Sequence, residues 1–196
     1  MTTDRRFCRF NRGESTSLGR VDTSQVVTRE VPEGGLCLSS FLVITDEARN
    51  PKRVLMGHLN PEAPWDHIGA LDEDRVRAHS RGWMLPSSHL MIKESPHEAA
   101  RRIQREQLGL EEGIPLSEPR VVSEVYTPKR FPHLASHWDL EFIFRGILNP
   151  DNLPQEHPEA WTELAFVDLS KTPKSEIARS HEDIIESAGL KFGTQE

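Results

Sequence analysis

The sequence predicts an α/β fold: a mixed β-sheet sandwiched between two helices, one over about residues 96–108 and one over about 175–188. Three observations predict it. The apolar runs come in the order strands, helix, strands, helix, unlike the regular βα alternation of a doubly wound sheet. The first helix carries complete start and stop signals. A length of 196 residues suits one domain with a sizeable core and is too short for two ordinary ones.

Residues 1–22 are polar, rich in Arg, Ser and Gly, and without periodicity. They are expected to form a loose arm, leaving 23–196 as a single domain. Ser24–Val31 has the composition of a short strand. Leu36–Thr45 (LCLSSFLVIT) and Arg53–Leu59 (RVLMGHL) are apolar runs separated by Asn50-Pro51, a turn signal, which predicts two strands and a hairpin-like loop. Residues 60–82 stand out as an insertion opened by Asn60-Pro61 and Ala63-Pro64. Within it LDEDRVRAHS predicts one short helix capped at or near Asp72. Loops this long inside a compact domain are often functional.

Glu94–Leu110 (ESPHEAARRIQREQLGL) gives the clearest helix. Ser95 fits the N-cap, Pro96 the first turn, and Glu98 the third position of a capping box. Gly109 supplies the stop. Arg120–Tyr126 follows as a strand. In His137–Leu148 the residues Trp138, Leu140, Phe142 and Phe144 alternate with Asp139, Glu141, Ile143 and Arg145, the period of a strand. Glu163–Leu169 is a further strand and Ser175–Ala188 a final helix.

Composition narrows the function. Lys and Arg number 24 against 31 Asp and Glu, a net charge of −7, with mean hydropathy −0.56. That balance does not suit a chain that coats nucleic acid or lies on an acidic membrane. No apolar run approaches the ~20 residues of a spanning helix. The arginines near the start are not followed by an apolar stretch, so no secretory signal is expected. Cys8 and Cys37 are too few for a disulfide scaffold and lack metal-site spacing. The expectation is a reduced, cytoplasmic protein. The acidity is uneven: residues 151–196 hold 10 acidic and 4 basic side chains, whereas Lys93–Glu106 holds three acidic and four basic.

The stretch Trp83–Leu110 (WMLPSSHLMIKESPHEAARRIQREQLGL) resembles the signature of the Nudix (MutT-like) hydrolases, G-x5-E-x7-R-E-U-x-E-E-x-G-U, where U is bulky and apolar. That signature usually follows W-x-L-P-G, and here W-M-L-P precedes it. Without gaps, Glu94, Arg102, Glu106, Gly109 and Leu110 agree, five of the nine defined positions. Ser88 stands at the first glycine, Ile103 and Gln107 at two glutamates, and Gln104 at an apolar position.

The resemblance implies a Nudix-type α/β/α sandwich and metal-dependent hydrolysis of a nucleoside diphosphate linked to another group. Mg2+ or Mn2+ would neutralise phosphate charge and help activate water. In R-E-U-x-E-E the glutamates share one helix face. That face here carries Ile103, Glu106 and Gln107. By resemblance Glu106 and Arg102 are the catalytic candidates, Arg102 by holding Glu94 or the loop. The metal ligands would be Glu106, Glu94, the side-chain oxygen of Gln107 and the carbonyl of Ser87. Serine at position 88 would be strained if the loop needs a left-handed backbone there. Should the helix be rolled, Ile103 would pack inward and Gln104 turn out. Replacement ligands could come from Glu124, Asp139, Glu141, Glu163, Glu182 or the neighbouring histidines.

Two residues are candidates for substrate contact. His89 lies in the loop where such enzymes bind phosphate, and Trp65, in a Pro-flanked loop, could stack a ring. Trp83 is expected in the core. His133 and His137 have a spacing that suits a metal only on a helix, and Pro132 argues for a loop there. The expected partner is a nucleotide-like small molecule, and the N-terminal arm could reach a second subunit in a homodimer. Two functions stay open: a metal-dependent hydrolase, or a Nudix-fold nucleotide-binding or regulatory module without turnover.

Overall fold

The computed structural model describes residues 35–49, 51–69, 71–126 and 136–193. The expected arm at 1–22, the strand at Ser24–Val31 and His133 lie outside the described residues.

Seven strands form one mixed sheet: β1 (Leu36–Thr45), β2 (Arg53–Leu59), β3 (Trp83–Met84), β4 (Ser87–His89), β5 (Arg120–Tyr126), β6 (His137–Ile147) and β7 (Trp161–Asp168). The main order is β3-β2-β1-β6-β5, with β4 on β1 and β7 on β2. At the centre β1 and β6 run parallel over ten pairs, from Leu36 opposite Trp138 to Thr45 opposite Ile147. β5 closes antiparallel on β6 and β7 on β2.

The strand period of two sends alternate side chains of β1 into two cores. Leu42 and Ile44 join Ile103 and Leu108 on one face, together with Phe144 of β6. Phe41 and Val43 join Ile143, Ile184 and Ile185 on the other. The first face is covered by helix α3 (Pro96–Leu108) and the second by α4 (His181–Ser187). The α/β/α sandwich is thus as the sequence predicts.

Local signals place α3. The Ser95 side chain accepts from the Glu98 N–H while the Glu98 carboxylate accepts from the Ser95 N–H, a complete capping box. Gly109 ends the helix in the left-handed region at φ 66°. In the insertion, Asp72 caps a helix as expected (α2, Glu73–His79), and a single turn over Trp65–Ile68 (α1) precedes it.

The last helix is a correction. A helix over 175–188 is expected, but only His181–Ser187 is α-helical. Ile177 is extended, sits 3% exposed in the core and bridges Trp83, so its backbone is committed to the sheet. Arg179 and Ser180 then turn through the left-handed region before α4 can start. Among the described residues no helix is long and apolar enough to cross a membrane.

Candidate functional site

Two polar regions flank the short strand β4, one on each face of the sheet. The first, on the α3 side, holds the box residues. Arg102 is buried and serves as its hub. Its Nε donates to Glu94 Oε1 at 2.7 Å, and its Nη2 donates to Glu94 Oε2 at 2.9 Å and to the His89 carbonyl at 3.0 Å. Its Nη1 donates to Ser88 Oγ at 3.2 Å and lies 3.6 Å from Glu106 Oε2. Glu94 Oε2 also accepts from the Met91 N–H at 2.8 Å. Burial by itself would raise the Glu94 pKa, but the Arg102 and Met91 hydrogen bonds outweigh it and hold the carboxyl below its usual range. Both its oxygens are therefore engaged.

Ser88 is not strained. Its backbone belongs to β4, paired with Ser40, and has no positive φ. Its hydroxyl donates to the Ile68 carbonyl at 2.9 Å, which ties the box to the insertion. The condition under which serine would be strained at this position is not met; among the box-loop residues Lys93 is the one in a left-handed conformation, at φ 68°.

Gln107 and Ser87 are bonded to each other. The Gln107 Oε1 accepts from the Ser87 N–H at 3.0 Å and its Nε2 donates to the Ser87 carbonyl at 2.8 Å. An amide can make this two-point clamp because it carries a donor and an acceptor; an ionised carboxylate has only acceptors. The Gln107 carbonyl in turn accepts from the Trp161 indole at 2.6 Å. Ile103 is fully buried in the core. Gln104 does not turn out. It is buried too, and its Oε1 accepts from the Ile114 N–H, pinning the loop after α3. Glu106 is the box carboxylate that reaches solvent, its side chain 37% exposed beside Arg102 and Arg105.

Trp65 is a core residue rather than an exposed stacking platform. It is 2% exposed, packs edge-on against Trp161 and donates its indole N–H to the Asn60 carbonyl. Trp83 packs against the opposite core and stacks on His58.

The second region lies on the α4 side, where β1, β4, β5 and β6 present one face. Register sets its members: Cys37 is opposite Asp139, Ser39 is opposite both Glu141 and His89, and Glu124 is opposite Asp139. His89 joins the two regions. Its carbonyl belongs to the Arg102 network, while its ring Nδ1 lies 3.0 Å from Cys37 Sγ and 3.1 Å from Ser39 Oγ. His137 Nε2 is 3.2 Å from Asp139 Oδ1, and the His137 ring packs on Tyr126.

This wall carries crowded negative charge. Glu141 is 6% exposed, and burial pushes its carboxyl up to about 8, helped by Glu124, Asp139 and Asp183. Burial followed by Asp183 and Asp139 raises Glu124 as well. Arg179 is close enough to interact electrostatically with Cys37, Tyr126 and Asp139.

The strand alternation of β6 was readable, and Glu124, Asp139 and Glu141 were already candidates. Sequence reasoning missed Cys37 and Ser39 beside them and weighed His137 for a metal only through its spacing from His133 and as one of the neighbouring histidines. Only the parallel register of β1 on β6 brings these residues together, and no local pattern encodes it. Glu163, on β7 at the far side of β2, takes no part.

No family model matches the sequence, and no curated protein matches it. Solved structures do. The NUDIX domain of Shewanella oneidensis NrtR, complexed with ADP ribose, aligns with a TM-score of 0.52 at 15% identity, over 78% of this chain and 85% of that one. NrtR from the same organism, complexed with a 27mer DNA, aligns with a TM-score of 0.51 at 15% identity, over 77% of this chain. This chain spans 59% of that longer protein. At such identities the likeness is one of fold. Sheet order, the two covering helices and these superpositions agree that the chain has the Nudix fold.

Proposed function

We propose that the chain is a Nudix-fold module that binds a nucleoside-diphosphate-type small molecule and does not hydrolyse it through the box. The observation that carries this reading is the Gln107 clamp on Ser87. It occupies two of the four ligands that the resemblance offers to a metal. Glu94, a third, has both oxygens engaged by Arg102 and the Met91 N–H. Mg2+ and Mn2+ need several oxygen ligands, among which carboxylates supply the charge. Glu106 alone remains, with Arg102 3.6 Å away. The residues of the box do not fit either ion.

The choice of ligand class is supported by the NrtR NUDIX domain, which is complexed with ADP ribose. The wall on the α4 side supplies polar partners. The Ser39 hydroxyl, the His89 ring and a Glu141 carboxyl that is largely protonated at neutral pH can donate as well as accept, which suits hydroxyl-rich groups such as ribose. A net charge of −7 favours a small ligand over nucleic acid for this chain.

Calorimetry of the pure chain against ADP-ribose, other nucleotide sugars, dinucleotides and nucleoside triphosphates, with product analysis in Mg2+ and Mn2+, tests the reading. Saturable binding without metal-stimulated product is expected. Metal-stimulated hydrolysis abolished by Glu106→Gln would establish the hydrolase instead. Failure to bind any member of the panel would sink the ligand assignment.

A further inference from the structure

We propose that Cys37, His137 and Asp139 form a binding site for a borderline transition-metal cation of the zinc type, with a fourth position open to an exchangeable ligand. The site is separate from the box and does not depend on the ligand reading above.

Geometry is the first support. One ligating atom from each of the three side chains lies within 4.8 Å of the other two. Cys37 comes from β1 and the other two from β6, where His137 and Asp139 are two residues apart and so share a face. The central ladder holds both strands, so the donors stand on rigid elements rather than on loops.

Chemistry is the second. Thiolate, imidazole and carboxylate together make a mixed S, N and O set. Zinc accepts all three, whereas magnesium and calcium take oxygen. A thiolate and a carboxylate also neutralise a divalent cation. Three protein ligands with a free fourth position is the arrangement of an exchangeable rather than a closed structural site.

The third support is an unmet demand. Asp139 Oδ1 is buried and has no hydrogen-bond partner among the described residues, although His137 Nε2 stands 3.2 Å away. A cation between these two groups would satisfy both. His89 Nδ1, 3.0 Å from Cys37 Sγ, is placed to orient the sulfur from behind. The side chains of His137 and Asp139 are 16% and 13% exposed, which leaves the donors reachable. Glu124 and Asp183 stand on the same side and add negative potential, against Arg179.

The test uses the full chain carrying Cys8→Ser, so that Cys37 is the one thiol, freed of metal and titrated with Co2+ as a spectroscopic stand-in for zinc. The expected result is a thiolate-to-cobalt charge-transfer band that saturates at one equivalent and is displaced by Zn2+ but not by Mg2+. Zinc should also block alkylation of Cys37. Cys37→Ser should erase the band. Asp139→Asn and His137→Ala should each weaken binding, and His89→Ala by about tenfold, as for an outer-shell partner. Circular dichroism identifies any variant that fails to fold; alkylation protection in the Cys8→Ser chain then remains the deciding readout. Absence of a thiolate band, or a band indifferent to both Asp139→Asn and His137→Ala, overturns the site.

Discussion

The two polar regions beside β4 use similar residue types and end in opposite states. On the α3 side, demand and supply match: Arg102 is shared among Glu94, Ser88 and the His89 carbonyl, and the Gln107 amide closes on Ser87. On the α4 side, like charges crowd together and Asp139 Oδ1 accepts no hydrogen bond among the described residues, its contact being the His137 Nε2 ion pair at 3.2 Å. A buried polar group costs free energy until something pairs with it. The first region has been paired from within, which makes it architecture. In the second, the proposed ligand would supply that pairing. The motif therefore points to the fold, while the proposed binding site lies one strand face away.

Rebuilding the motif should have the largest effect. Ile103→Glu with Gln107→Glu should not restore a metal face; it should place one charge in a closed core and set a second against the Ser87 carbonyl. A loss above roughly 5 kcal/mol, enough to unfold most domains, is expected from urea melts. A folded double variant with Mg2+-dependent turnover would break the contrast. Arg102→Ala comes next. It strands the Glu94 carboxylate and should cost about 3–5 kcal/mol. A loss near zero would mean the network does not support the fold.

Glu141 probes the other region. Its carboxyl titrates near 8 in the folded chain against a reference of 4.5. Between these values the native state holds the proton more tightly than the unfolded chain does. Stability should therefore be highest below pH 4.5 as far as this group is concerned, and fall as pH rises towards 8. In metal-free protein the loss is on the order of 5 kcal/mol, and Glu141→Gln should flatten it. A wild-type profile already flat from pH 5 to 9 would remove the crowding argument. Smallest of all, Glu106→Gln should change stability by less than about 1 kcal/mol, because its carboxylate reaches solvent and stands 3.6 Å from an Arg102 that Glu94 already pairs. A larger effect would return Glu106 to the centre of the site.

Elements with local determinants were legible in the sequence. The Ser95–Glu98 box, the Gly109 stop and the Asp72 cap each act within one helical turn, and each stands where predicted. Glu94 and Arg102 also come together, in keeping with a supporting role. The rest depends on partners distant in sequence. Ile177 carries a helical pattern, yet its bridge to Trp83 draws it into the sheet and shortens the last helix. Trp65 sits in a polar, proline-flanked stretch that reads as exposed, but the insertion folds back and buries it against Trp161. Cys37 and Asp139 look unrelated until β1 and β6 align.

That alignment also bears on how the chain reaches its native state. The ladder at the heart of the sheet joins segments roughly a hundred residues apart, a separation that slows folding because ring closure precedes its reward. During synthesis β1 waits, with one edge unpaired, until β6 emerges. The hairpin of β5 and β6 and the capped α3 can assemble early, so the joining of the two halves along β1 is the expected slow step. An unpaired apolar strand invites association with other chains while it waits. Refolding yield should therefore drop as protein concentration rises.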